Sequence, residues 1–116
     1  GIIVGGNIRC FLKLAGTDYW PDLTGKILLL EAYSGAVPQM VTFLNQLKQL
    51  NAFQKVSGIL LGTFTKMQKE NIVPKITDLV LKYAGESIPI AYTYEIGHGD
   101  VSKAILIGKE MHFHSK

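Results

Sequence analysis

Two short stretches carry residues that can do chemistry together. One is "KILLLE", Lys26 to Glu31, where a carboxylate follows four aliphatic residues. The other is "GHGD", Gly97 to Asp100, where His98 stands between two glycines at the end of an apolar run. A histidine acting as general base needs a carboxylate to orient its ring and support the imidazolium. Read singly, each residue has a plainer account. A glutamate at the end of a buried strand must be exposed, paired or hydrogen-bonded, because burying it alone is costly. A histidine between glycines can be an ordinary loop residue, although the glycines leave its ring uncrowded and its backbone free. Read together, Glu31 and His98 supply two thirds of a hydrolase triad if both strand ends lie on one side of one sheet.

The missing third is a nucleophile. The Gly-x-Ser-x-Gly turn of serine hydrolases is absent from the sequence. Ser34 in "AYSGA" and Ser57 in "KVSGI" read as loop or strand-start residues, and Ser102 follows the glycines without a recognisable turn. Cys10 lies among Ile8, Phe11 and Leu12, as a small core residue would. His112 and His114 alternate along one strand and share a face, but no third ligand accompanies them, so no metal site is expected. "GGN" and "GHG" lack the spacing of phosphate-binding loops. Trp20, in the polar loop "DYWPDL", suits packing against a partner domain or against a ligand.

The elements that position these residues follow from apolar spacing. Ile2 to Val4 reads as a buried strand closed by Gly5 and Gly6. Asn7 caps a short helix carrying Ile8, Phe11, Leu12 and Ala15, and Gly16 ends it. After a loop, the run Ile27 to Leu30 predicts a strand buried on both faces, as between helices. Pro38 opens a helix whose stripe is Val37, Met40, Val41, Leu44 and Leu47. A strand over Val56 to Leu61 ends at Gly62. A helix over about Lys69 to Ala84 has the stripe Ile72, Ile76, Leu79, Val80 and Tyr83, with Pro74 near its start. The aromatics Phe43, Phe53, Phe64 and Tyr83 read as core. Ile88 to Tyr94 is the next strand, and Ala104 to Ile107 with Glu110 to His114 forms a hairpin around Gly108-Lys109. Strands alternating with helices predict an α/β fold: a compact single domain with a central β-sheet and flanking helices. Ligand sites in such sheets form where strands end.

Composition narrows the classes. A chain of 116 residues, nearly half apolar, suits one globular domain. The net charge of +3 comes from 12 basic and 9 acidic residues. The lysines are scattered and Arg9 is the one arginine, which is a solubilising surface rather than a nucleic-acid face. A single cysteine rules out an internal disulfide and fits a cytoplasmic chain. No apolar run approaches the length of about 18 residues that a membrane span needs, so no membrane partner is expected. The chain begins at Gly1 rather than Met, as expected of a piece of a longer protein.

"GIIVGGNIRCFLKLAGTDYWPDLTGKILLLE", "FQKVSGILLGTF", "IPIAYTYEIGHGD" and "KAILIG" together resemble the C-terminal domain of LD-carboxypeptidases. That family comprises the muramoyltetrapeptide carboxypeptidases and, as relatives, the microcin C immunity proteins. The resemblance runs from Gly1 to about Phe113. It implies a compact swivelling β/β/α-like unit, with residues 1–116 as the C-terminal domain of a two-domain enzyme. It implies a Ser-Glu-His triad in which Glu31 and His98 are the catalytic pair and the serine lies in an N-terminal domain outside this chain. It also implies the activity: removal of the terminal D-alanine from murein tetrapeptides during cell-wall recycling, without cofactor or metal. The implied partners are that N-terminal domain, the murein peptide, and a second copy in a homodimer. The alternatives are an immunity hydrolase acting on a peptide-nucleotide toxin, with Trp20 stacking on the base, and a non-catalytic peptide-binding or docking domain. Two positions depart from the family pattern. Ala32 follows Glu31 where an acidic residue is frequent, and Leu106-Ile107-Gly108 stands where Pro-x-Gly is frequent.

Overall fold

The computed structural model describes residues 2–93. In chain order the elements are β1 (Ile3–Asn7), α1 (Ile8–Leu12), β2 (Ile27–Ala32), α2 (Val37–Gln49), α3 (Ala52–Lys55), β3 (Gly58–Phe64), α4 (Thr65–Lys69), α5 (Ile76–Ala84) and β4 (Ile90–Tyr92). The four strands form one sheet in the order β1-β2-β3-β4, with every neighbouring pair parallel. This is the α/β domain with a central sheet that the alternating pattern predicts.

The strand order decides where the helices go. Each connection steps one strand in the same direction, and parallel crossovers are right-handed, so all of them fall on one face. There α2 packs against α1, α3 and α5. One large apolar cluster joins Leu28, Leu30, Ala32, Ile59, Leu61 and Phe64 of the sheet to Met40, Leu44 and Leu47 of α2 and to Leu79 and Val80 of α5. The alternate strand residues Ile3, Ile27, Leu29, Leu60 and Ala91 form a second buried cluster on the other face. Both faces of β2 are therefore buried, as the run "ILLL" predicts. The helices among the described residues flank the sheet on the face of the larger cluster.

Several boundaries differ from expectation, each for a local reason. β1 does not stop at its glycines. Gly5 and Gly6 take φ of +112° and +147° and stay paired with Leu29 and Leu30, so the strand continues to Asn7. β3 likewise runs through Gly62 to Phe64. Asn7 caps α1 as expected, its Oδ1 accepting the Cys10 N–H at 3.1 Å, but the helix proper ends at Leu12 and passes into turns. Cys10 is exposed rather than part of the core. The helix expected over Lys69 to Ala84 is confined to Ile76–Ala84, and the separate short helix α4 ends at Lys69. Asn71 turns left-handed at φ +49°, and Pro74 has no N–H to give a helix, so α5 begins only at Ile76. Ile72 still packs against the large cluster from the intervening loop. Phe43 and Tyr83 are half-buried at the margin of that cluster, and the Arg9 guanidinium lies 5.9 Å from the Phe43 ring centre. β4 is limited to Ile90–Tyr92. Tyr94 and the hairpin expected over Ala104 to His114 lie outside the described residues.

The loop before β2 is held by its own short-range bonds. Thr17 Oγ1 donates to the Leu14 carbonyl at 2.6 Å, and Asp22 Oδ1 accepts the Thr24 N–H at 3.0 Å. That Thr24 bond is also the main reason the Asp22 carboxyl sits below the usual carboxylate range. Trp20 consequently has a fixed place. Its ring lies 4.6 Å from that of Phe11, tilted by 36°, and it packs on the large cluster of its own domain.

Two substitutions test this architecture. A Cβ on Gly5 would stand 2.2 Å from the Leu29 carbonyl oxygen, at a φ that L residues rarely adopt. Gly5→Ala is expected to cost more than the roughly 1–3 kcal/mol of backbone strain alone. Gly25→Ala, at φ +73° in open space, is expected to cost only about 1–2 kcal/mol. Urea unfolding of both variants measures the difference, and equal costs would contradict the close β1–β2 approach. Trp20→Ala is expected to destabilise by at least the ~0.5–1.5 kcal/mol of a paired ring, read as a lowered melting temperature. An unchanged melting temperature would mean that the ring is not part of this core.

Candidate active site at the carboxyl edge of the sheet

Because all four strands are parallel, their carboxyl ends share one edge, where α/β sheets place ligands. Asn7, Glu31 and Ala32, Phe64, and Tyr92 lie at or beside that edge. Glu31 is in the second strand, with paired neighbours on both sides. Leu28, Leu30 and Ala32 point to the helices and Ile27 and Leu29 away from them, so alternation turns Glu31 away from the helices. It is only 7 % exposed, and it is not without a partner. The reading of Glu31 as a plain surface carboxylate is thereby excluded.

The flanking strands bring two further polar residues alongside. On one side Asn7 pairs in register with Glu31. On the other, Leu30 pairs with Leu61 but Ala32 pairs with Phe64, which leaves Glu31 opposite both Gly62 and Thr63. Thr63 is also buried. The segment just past Glu31 is fixed by the next connection, since the Lys66 N–H donates to the Tyr33 carbonyl at 3.0 Å. The Tyr33 ring is exposed beside this edge. A cavity of about 400 Å³ opens near the ends of β3 and β4, lined by Met67, Asn71, Ile72, Lys75 and Tyr92 among others; Glu31 does not line it.

The remaining sequence candidates separate cleanly. Ser57 is a structural latch: its Oγ donates to the Gly25 carbonyl at 3.0 Å and lies 3.3 Å from that of Lys26. It joins the starts of β2 and β3, at the opposite edge from Glu31. Ser34 is exposed in the turn after β2. Trp20 leans on Phe11 and is half-buried. His98, Ser102, His112 and His114 lie outside the described residues. Among the described residues there is no group of three or more His, Cys, Asp or Glu side chains suited to a metal ion. No helix among them is long and apolar enough to cross a membrane.

Sequence reasoning located Glu31 but not its neighbours. Asn7 was legible only as a helix cap, and Thr63 carried no signal because a bulge in a parallel strand leaves no mark on apolar periodicity. Chemically, the edge offers a carboxylate fixed by two neighbouring strands. Such a group can orient a histidine and stabilise its charged form.

Comparison with known proteins identifies the family. The LD-carboxypeptidase C-terminal domain family matches residues 1–113. A protein of Treponema pallidum that carries a carboxypeptidase name is 35% identical over 99 residues, covering 84% of this chain and 29% of the relative. A second, from Bacillus subtilis, also carries a carboxypeptidase name and is 32% identical over 99 residues, 84% of this chain and 30% of the relative. The chain therefore spans about a third of the length of the curated relatives it matches. The crystal structure of the muramoyltetrapeptide carboxypeptidase from Oxalobacter formigenes superposes with a TM-score of 0.70 at 23% identity, over 88% of this chain and 37% of that one. At that identity the likeness establishes the fold alone. Taken with the family match over nearly the whole sequence, it leads to one conclusion: this chain belongs to the LD-carboxypeptidase C-terminal domain family.

Proposed function

We propose that residues 1–116 are the C-terminal half of a two-domain serine peptidase, an L,D-carboxypeptidase that removes the terminal D-alanine from murein tetrapeptides. The observation that carries this reading is the burial of Glu31 at the carboxyl edge of a parallel sheet, in a chain of this family. The N-terminal half supplies the nucleophilic serine, and the chain alone is inactive. The substrate would be a cytoplasmic murein peptide released in cell-wall recycling.

In this mechanism Glu31 holds His98 in the tautomer whose free nitrogen faces the serine hydroxyl. His98 takes the hydroxyl proton as the oxygen attacks the carbonyl carbon before the terminal D-alanine. The same proton passes to the departing amine as the C–N bond breaks. Water, deprotonated by His98, then hydrolyses the acyl-enzyme. Glu31 stabilises the imidazolium. The alternative reading as a toxin-immunity hydrolase assigned base stacking to Trp20, and that ring packs on Phe11.

D-alanine release by the full-length protein tests the proposal. Glu31→Gln keeps the side-chain volume and removes the charge, and His98→Ala removes the base. Each is expected to lower kcat by about 10³-fold or more with circular dichroism unchanged. Near-normal turnover in either variant would refute the pairing. Cleavage of a peptidyl nucleotide without D-alanine release would favour the immunity hydrolase, and neither activity would favour a binding domain.

A further inference from the structure

We infer that the cavity at the carboxyl ends of β3 and β4 is a substrate subsite, taking an acidic segment of the peptide upstream of the cleaved bond, with Lys75 as its cation. The inference rests on the reading of this chain as half of an L,D-carboxypeptidase. The cavity holds about 400 Å³, within the size range of ligand pockets. Part of its lining is apolar: Leu61, Met67 and Ile76 border it and are buried in the helix-side cluster. Gln68, Asn71 and Lys75, from α4 and the segment that leads to α5, add polar groups. An apolar lining with a few polar groups is the composition of a ligand site.

The position of the cavity connects it to Glu31. Gly62 lines the cavity and, with Thr63, opposes Glu31 across the β2–β3 pairing. Neighbouring strands lie only about 4.8 Å apart. The Glu31 side chain turns away from the helices, whereas Leu61 and Ile76 belong to the helix side. A ligand that reaches both therefore crosses the carboxyl edge of the sheet, and Gly62 presents no side chain there. An extended peptide covers about 3.3–3.6 Å per residue, so the residues just before a bond cleaved beside Glu31 are long enough to pass over one strand.

Charge decides which segment fits. Lys75 is the one charged residue lining the cavity among the described residues, and no Asp or Glu lines it. Asp78, in the first turn of α5, lies outside the lining. Lys66 on α4 is paired with Glu70 at 3.9 Å, whereas Lys75 is exposed and has no ion-pair partner among the described residues. A cation beside a partly apolar pocket favours a carboxylate and disfavours an amine, and the bond it makes to a carboxylate is of the charge-assisted kind.

Steady-state D-alanine release by the full-length protein tests the inference with two murein tetrapeptides. One has free carboxylates upstream of the cleaved bond, and in the other they are amidated. The wild type is expected to show a kcat/KM about tenfold higher on the acidic peptide, roughly the effect of one charge-assisted hydrogen bond. Lys75→Met keeps an apolar stem and removes the charge. It is expected to lower kcat/KM about tenfold on the acidic peptide and less than about twofold on the amidated one. Lys82→Met removes another exposed lysine of α5 that does not line the cavity, and it is expected to match the wild type on both peptides. If Lys75→Met does not fold, Lys75→Gln removes the same charge and is read in the same way. Equal kcat/KM of the wild type on the two peptides, or wild-type kcat/KM in Lys75→Met on the acidic one, would overturn the inference. So would an equal loss in Lys75→Met on both peptides, which would mean that the cavity receives the N-terminal half of the protein instead. In each of these cases D-alanine release by the wild type leaves the L,D-carboxypeptidase reading standing. No release from either peptide would overturn that reading and this inference with it.

Discussion

The whole arrangement depends on β2 being paired on both sides by parallel strands. A strand in that position has its backbone N–H and C=O groups committed to two neighbours, so its path is fixed more firmly than that of an edge strand. The run Ile27 to Leu30 buries both faces, and Glu31 inherits that rigidity as the next residue. A carboxylate on a loop would need side-chain contacts to hold it. Here the sheet holds it, and only the rotamers remain to be set. Parallel pairing also gathers the carboxyl ends of all four strands at one edge, so whatever approaches Glu31 approaches a single face of the domain.

The neighbours of β2 show how closely its position is defined. On one side, β1 comes so near at Gly5 that no side chain fits against the Leu29 carbonyl. This explains why Gly5 stands inside a paired strand instead of ending it, while Gly6 meets no neighbour and is set by its φ of +147°. On the other side, the extra residue in β3 puts Gly62 and Thr63 opposite Glu31. A regular β3 would present one residue there. The two irregularities flank the same strand near the same edge. Glycine tolerance on one side and a bulge on the other are local costs, offset by the buried aliphatic contacts of the sheet.

Much of the fold was legible in the sequence because its signals were strong. Four aliphatic residues in a row can only be a strand or a buried helix turn, and the spacing of Met40, Leu44 and Leu47 is helical. What failed were boundaries governed by backbone geometry instead of hydrophobicity. Gly5, Gly6 and Gly62 resembled stops but lie within strands. Ile72 fits the stripe of α5, yet Asn71 and Pro74 divide that segment, and Ile72 reaches the core from a loop. Cys10 sits among apolar residues but on the outward side of a one-turn helix. Of the site, Glu31 was legible because a charge after "ILLL" is conspicuous. Thr63 was not, since only the pairing register reveals it, and His98 lies outside the described residues.

The account stands on Glu31 acting through a histidine on a serine from elsewhere in the same protein. The most direct measurement is a crystal structure of the full-length protein. It should show a Glu31 carboxylate oxygen within about 2.6–3.2 Å of one His98 ring nitrogen, with the other nitrogen facing a serine hydroxyl of the N-terminal half across a cleft. A Glu31 carboxylate bonded only within its own sheet, with His98 out of reach, would contradict the account.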